Sequence, residues 1–370
     1  MTSNPKRVLV LWADSQSANF GVRVLAEGTT NIARTAWGAG VEVDLQNFAT
    51  GDSNISFGPR SIVRDIGRKN GPIKDKLNDY TVIVDTGAGD SFTDIYGLKR
   101  LFVMLYVHRV AFSLGIPVVM GPQTIGPFNT SLGRWAARRS LRTMNTVIAR
   151  DPRSADYAQT LGRKVDATST DVAFALTDRL DGDPRDIVLN ISGLLWGKNH
   201  HVNSARYREE VLDLVAGLQD RGRNVSLLAH VLAPGYDEDD IHAVEQFQRE
   251  YGAEFETILP TSLGQLRSTL AGANFVIGSR MHACLNALSS GTPAIAWAYS
   301  RKFAPLMNDI GWQHVIDLSN PATSPATETL HLIDSVDQAK FKESVRTVQN
   351  RAREHLNLTV SAFRTVGIAQ

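Results

Sequence analysis

One cysteine, Cys284, stands in a chain of 370 residues. No disulfide can close within it, and metal sites of the CxxC kind are excluded. An excess of either charge is missing too: 39 Lys and Arg face 38 Asp and Glu, a net of +1. That balance offers no basic surface for nucleic acid and no acidic tail that would stay disordered. No apolar run approaches the roughly 20 residues of a membrane span, and the longest candidate, 101–116, carries His108 and Arg109. The opening MTSNPKRVLVLWAD has a basic lead, a short apolar run and no small-residue cleavage site, so it reads as a first strand and not a signal peptide. There is no HExxH, and the adjacent His200 and His201 point apart, so no metal is expected. The expected location is the cytoplasm, with at most peripheral contact at the inner face of the cell membrane.

What is present suits a soluble enzyme: 43% hydrophobic and 21% charged residues, over a length that allows two or three domains. Strand-like runs alternate with helical patterns, the sign of an α/β fold with parallel sheets. Strands are read at 7–12, 41–45, 81–85, 117–120 and 146–149, then at 187–191, 225–228, 275–277, 294–297 and 315–318. Helices are read at 23–36, 93–113, 131–144, 204–220, 239–251, 263–271 and 281–290. The polar TDRLDGDPR, 177–185, is the linker candidate. The expectation is an N-terminal α/β domain over 1–180 and a C-terminal α/β domain over 181–336. A long helix within 337–370 packs back on the first. Two Rossmann-like domains then face each other across a cleft, and ligands in such sheets bind at the carboxyl ends of the strands.

The richest stretch is FVIGSRMHACLNALSSGTPAIAWAYSRKF, 275–303. FVIG reads as a buried strand, and Met281, Cys284, Leu285 and Leu288 recur as one buried helical face. Ser279 is the expected N-cap and Gly291 the stop. Arg280 and His282 then lie in the first helical turn, where the helix dipole disfavours cations unless an anion sits among them. This is an expected anion site, and Cys284 is expected to pack in the core. Arg150 repeats the arrangement: strand, arginine, then a helix capped by Asp151 with Pro152 at its first position. An ion pair with Asp151 or another acid would explain Arg150 equally well.

Two further loops follow strands. DTGAGDSFTD, 85–94, lacks the spacing of dinucleotide and P-loop motifs. Its Asp85, Asp90 and Asp94 are candidates for a general base or for binding sugar hydroxyls. GPQTIGP, 121–127, offers Gln123 to a polar ligand, and Trp12, at the end of the first strand, offers an aromatic face to a sugar. His230 is expected at a cleft edge as a satisfied, partly buried histidine.

RMH with its apolar helix and GTPAIAWAYSRKF, together with ARDPRSADYAQTLG and GPQTIGP, resembles the polysaccharide pyruvyl transferase family. The family's R-[DE]-x-x-S segment falls on Arg150, Asp151 and Ser154, its R-x-H on Arg280 and His282, and its later lysine on Lys302. The likeness runs from about Thr81 to Trp312. The chain departs from the family's N-x-G-D segment by reading NFGV, with Val22 in place of the acid, and DTGAGDSF replaces a more glycine-rich turn. The resemblance implies a GT-B-like fold, phosphoenolpyruvate as donor, and a sugar acceptor, possibly lipid-linked, in a cell-surface glycan or glycolipid.

On this reading Arg150, Arg280 and Lys302 supply three positive charges to a donor carrying close to three negative ones. Protonating the enol methylene makes an oxocarbenium-like centre, one hydroxyl attacks, phosphate leaves, and a second hydroxyl closes a cyclic pyruvate ketal. His282 is the candidate for phosphate contact and proton transfer, and Asp90 or Asp94 for the base. No metal or organic cofactor is implied. Two alternatives remain: an NDP-sugar glycosyltransferase of GT-B type, and a non-catalytic anion-binding protein of glycan assembly.

Overall fold

The computed structural model describes residues 7–51, 53–177, 181–300, 303–320, 322 and 324–366. Two compact units emerge. The first holds the chain up to Ser17, Val22–Leu176 and everything from Ala352 on; the second holds Ala18–Gly21 and Thr177–Arg351.

In the first unit β1 (Arg7–Leu11), α1 (Phe20–Trp37) and β2 (Glu42–Gln46) are followed by two short helices, α2 (Pro59–Asp65) and α3 (Pro72–Leu77). Next come β3 (Val82–Asp85), α4 (Leu98–Ser113), β4 (Val118–Gln123), α5 (Ser131–Leu141), β5 (Thr146–Ala149), α6 (Pro152–Thr160) and β6 (Ala167–Thr168). The strands form one sheet in the order β2-β1-β3-β4-β5-β6, parallel throughout. Its central strands, VIVD and TVIA among them, are buried on both faces, which is why they read as continuous apolar runs.

The second unit runs β7 (Arg185–Asn190), α7 (Gly193–Trp196), α8 (Ser204–Asp220), β8 (Val225–Leu228), α9 (Asp240–Tyr251), β9 (Glu256–Ile258) and α10 (Leu263–Ala271). It continues with β10 (Ala273–Gly278), α11 (Met281–Ser289), β11 (Ala294–Ala298), α12 (Phe303–Asp309), β12 (Val315–Asp317), α13 (Pro325–Ser335) and α14 (Gln338–Arg364). Its sheet, β12-β11-β10-β7-β8-β9, is also parallel. The long α14 is divided: up to Arg351 it belongs with the second unit, and from Ala352 with the first. There the indole N–H of Trp37 donates to the Phe363 carbonyl at 3.2 Å, and Thr359 bonds Ser169.

The α/β class and the alternation of strands with helices are as expected. Several elements escape the apolar pattern. The edge strand β9 is mostly exposed and β6 has two residues, too short for any period. By contrast α2, α3 and α13 each open on a proline in the first turn, a readable start signal. The helix expected from residue 93 begins at Leu98, because Asp94 is spent on the next loop and Gly97 takes a φ of 93°.

Gly28, in the middle of α1, packs against the turn at Val172–Ala175 (with helical hydrogen bonding of the 3₁₀ kind). An added methyl would overlap the Val172 carbonyl oxygen and sit 2.9 Å from its Cβ. Alanine favours helix over glycine by about 1 kcal/mol, yet overpacking against backbone costs about 1–3 kcal/mol. Gly28→Ala is therefore expected to lower stability in urea denaturation. A raised midpoint would show that the turn yields.

Candidate functional site

The second unit gathers its polar residues around one carboxylate. Asp240 opens α9 and is wholly buried. Its Oδ1 accepts from the Gly193 amide at 2.8 Å and from Arg280 Nε and Nη2 at 3.2 and 2.8 Å. Its Oδ2 accepts from the His230 and Val231 amides, each at 3.0 Å, and from Asn190 Nδ2 at 3.3 Å. Asn190 in turn donates to the Leu228 carbonyl and accepts from the Arg280 amide, both at 3.0 Å. The carboxyl ends of β10, β7 and β8, three neighbouring strands, are thereby laced together. Burial works against the charge of Arg280, but the field and hydrogen bonds of Asp240 outweigh it, and the guanidinium is held more basic than usual.

Ser279 does not cap α11, as the sequence suggested. Its hydroxyl lies 2.9 Å from the Tyr207 hydroxyl, and Arg280 itself takes the cap position with no side chain closing the helix start. His282 follows as the second helical residue, so the R-x-H segment sits where first-turn amides face outward. Cys284 is buried in the core and its thiol is pushed up to about 12 by burial.

Two residues of the NFGV segment, Asn19 and Gly21, bear on His282 in a way that the sequence alone does not show. A Cβ on Gly21 would lie 2.6 Å from His282 Nδ1, so only glycine leaves room for that ring. Asn19 Oδ1 accepts from the Gly21 amide at 2.9 Å, which caps α1. The N-x-G of the sequence thus has a physical task here, although Val22 departs from the family pattern. Asn19 also pairs with Val231 as an antiparallel bridge, and the Phe20 ring lies 5.8 Å from that of His230. His230 is not the satisfied, partly buried histidine expected. It is 1% exposed, and neither ring nitrogen finds a partner. Burial, and then the fields of His282 and Arg280, keep its basicity well below the ordinary 6.5.

The first unit treats its candidates differently. Arg150 is buried and donates to Thr124 Oγ1 at 2.9 Å and to Asp171 Oδ2 at 3.2 Å. Asp151 caps α6 through the Ser154 amide and hydroxyl at 2.8 and 2.7 Å. Ser154 Oγ accepts from the Ile125 amide at 3.2 Å, so R-D-x-x-S ties α6 to the GPQTIGP loop. With Arg280 on Asp240 and Arg150 on Asp171, the count of three free positive charges fails: a buried arginine demands its own counter-ion. Lys302, the third, lies outside the described residues.

Trp12 and Gln123 are both 0% exposed. Trp12 stacks on Phe48 at 4.2 Å, and Gln123 donates to the Asp85 carbonyl at 3.1 Å, so neither presents a face to a sugar. Asp94 accepts from the Asn129 and Thr130 amides at 2.7 and 2.8 Å and from the Thr130 hydroxyl at 2.7 Å, bonds that hold it below the usual carboxylate range against the opposing effect of burial. It is an anchor, not a base. Asp90 is half-buried and accepts from the Tyr96 hydroxyl at 2.7 Å. Asp85, His108 and Ser140 form a buried chain, with His108 Nδ1 2.8 Å from Ser140 Oγ and Nε2 on Asp85. All three are buried, which closes the serine to substrates. Among the described residues no three His, Cys, Asp or Glu side chains group as metal ligands, and no helix is long and apolar enough to cross a membrane.

Residues 36–301 match the sequence model of polysaccharide pyruvyl transferases. The chain belongs to that family. The matched span includes Arg150, Arg280 and His282. The amylovoran biosynthesis protein AmsJ of Erwinia amylovora is 24% identical over 263 residues, 64% of this chain. That alignment spans 61% of AmsJ. The fold is GT-B-like, shared with proteins of other activities. A putative UDP-N-acetylglucosamine 2-epimerase from Listeria monocytogenes superposes at a TM-score of 0.59 with 10% identity, over 97% of this chain and 94% of its own. An Anabaena protein, HepE, in complex with UDP-glucose gives 0.58 with 12% identity, over 97% and 98%. These likenesses concern the fold alone.

Two outcomes follow from Asp240 and His230. Asp240→Asn strips the charge from a buried pair and is expected to destabilise the protein by about 3 kcal/mol, read by chemical denaturation; unchanged stability would mean that Arg280 finds another acid. For His230 the native state binds its proton less readily than the unfolded chain. Its contribution is therefore whole above about pH 6.5 and is lost as pH falls below it, at up to about 1.4 kcal/mol per pH unit. The stability of His230→Phe relative to wild type should rise as pH drops from 7 to 5, and parallel curves would refute a neutral buried imidazole.

Proposed function

We propose that this chain transfers the pyruvyl group of phosphoenolpyruvate to two hydroxyls of a sugar in polysaccharide biosynthesis, closing a cyclic ketal and releasing phosphate. The observation that carries the reading is the Arg280–Met281–His282 segment at the unclosed start of α11 in a chain of the pyruvyl transferase family. AmsJ, a protein of amylovoran biosynthesis, supports a glycan as the acceptor.

In this mechanism the enol methylene of the donor takes a proton, one sugar hydroxyl adds to the resulting cation, and the carbon–oxygen bond to phosphate breaks. The second hydroxyl then closes the ketal. Of the two hydroxyl protons, one replaces that taken up by the methylene and the other leaves with phosphate. His282 is assigned the proton transfer, with the amides of α11 and Lys302 as anion contacts. Arg280, its Nε and Nη2 held by Asp240 and the Glu238 carbonyl, offers the donor its Nη1 and does not act as a free charge. Arg150, held by Asp171, keeps the donor role that the family motif suggests. Asp90 is assigned the base, because Asp94 is consumed by its loop. The donor and the chain's own residues account for each step, with no organic cofactor.

The test is titration with phosphoenolpyruvate against UDP- and GDP-sugars, followed by phosphate release and the ketal methyl resonance with glycan acceptors. Saturable binding indifferent to nucleotide-sugars, with turnover reduced at least about 100-fold in His282→Ala, is expected. Binding of a nucleotide-sugar in place of phosphoenolpyruvate would make the chain a glycosyltransferase. Binding of phosphoenolpyruvate without turnover on any acceptor would make it a non-catalytic protein of glycan assembly.

A further inference from the structure

The near-neutral total hides an uneven distribution. Between Asp94 and Asp151 the chain has no acidic residue in 56 positions, while eight Lys and Arg occur there. This segment contains α4 and α5, which pack against each other on one side of the first sheet, as right-handed crossovers between β3, β4 and β5 require. On α5, Leu132, Trp135 and Arg139 share one face, flanked by Arg138 and Arg142. Leu132 and Trp135 are 61% and 60% exposed. On α4, Leu98, Phe102, Arg109 and Phe112 recur on one helical face, with both phenylalanines 52% exposed. Among the described residues, Arg138, Arg139 and Arg142 meet no carboxylate. The opposite face of α5, with Ala137, Ser140 and Leu141, is buried, so the apolar side chains outside are not needed for the core.

We propose that the solvent face of α4 and α5 docks on a membrane surface carrying anionic lipid headgroups. Large apolar side chains set among unpaired arginines suit the headgroup–acyl boundary, where tryptophan settles and arginines meet phosphates. A soluble polyanion such as nucleic acid or an acidic polysaccharide would explain the arginines but leave Leu132, Phe102 and Phe112 without a role. The inference goes beyond the proposed reaction and does not depend on it. A sugar acceptor carried on a lipid would be met where it resides.

The experiment is flotation of the full chain with vesicles of phosphatidylcholine alone or mixed with phosphatidylglycerol. Wild type is expected to float with the anionic vesicles and to lose that binding steadily as salt rises. Arg138→Gln with Arg139→Gln should weaken partition roughly 25-fold, about fivefold per charge. Leu132→Ser with Trp135→Ser should abolish the binding that survives moderate salt. As a check on the unmodified chain, anionic vesicles should shield Trp135 from iodide quenching. Wild type remaining in solution with anionic vesicles overturns the proposal, as do double variants that float like wild type. Binding to dextran sulfate with none to vesicles would reassign the face to acidic polymers. No outcome reads transferase activity, so failure here and failure of the pyruvyl-transfer reading are told apart.

Discussion

Asp240 holds the second unit's candidate site in place. Burying a carboxylate and a guanidinium together costs several kcal/mol of desolvation per ion, and their attraction offsets that only when remaining lone pairs and protons are also satisfied. Asp240 meets the condition by accepting three backbone amides and an asparagine besides Arg280. The pair is therefore better understood as a device for orientation than as a source of stability. It fixes the side chain of Arg280 at the mouth of α11 and aligns the ends of three strands beneath it. The same lacing ties down the loop after β8, and so fixes His230 against Phe20.

That arrangement changes the electrostatic argument. Counting arginines suggests a strongly positive pocket, but a wholly buried arginine arrives already neutralised by its partner. On the proposed reading, what remains for an anion at α11 is direction: N–H groups at an unclosed helix start and the one guanidinium nitrogen of Arg280, Nη1, that Asp240 and the Glu238 carbonyl leave over. His230 adds a neutral ring kept from protonation by its surroundings. Such a site favours a ligand that brings its own charge and finds oriented dipoles, which require no rearrangement when bonding shifts during reaction.

Much of this was legible in the sequence and some was not, for identifiable reasons. Central strands of a parallel sheet are apolar on both faces, so nearly all were found within a residue or two, and α8 and α10 match their expected ranges. The R-x-H at a helix start followed from the apolar period of α11 alone. Asp240 was invisible because it closes the run DEDD, where any of the four acids could cap a helix. Nothing local says that the last one turns inward. His230 was misjudged because its isolation depends on Phe20, 210 positions away in sequence. Gly21 was legible only as part of a motif, since its reason is a ring 261 positions on. Trp12, Gln123 and Asp94 erred in the opposite direction. Polar or aromatic residues just after a strand suggest a ligand, but the backbone groups freed where a strand gives way to a loop also need partners; that need consumed Gln123 and Asp94, while Trp12 is taken up by stacking on Phe48.

Composition has a corresponding blind spot. A net charge near zero excludes an anionic partner only if the charges are mixed, and here they are sorted by place. Many of the second unit's acids turn inward or pair locally, as Asp240, Asp186 and Glu256 do, while the arginines of α5 stand on a surface with no acid in the helix. An average over the chain cancels these two facts against each other. Local charge is what a ligand or a surface encounters within a Debye length of about 8–10 Å, so the field that matters is set by single helices. Sequence spacing carries that information once the helices are known: the acid-free run and the arginine positions were in the sequence throughout, and the exposed face needed only the fold to become one.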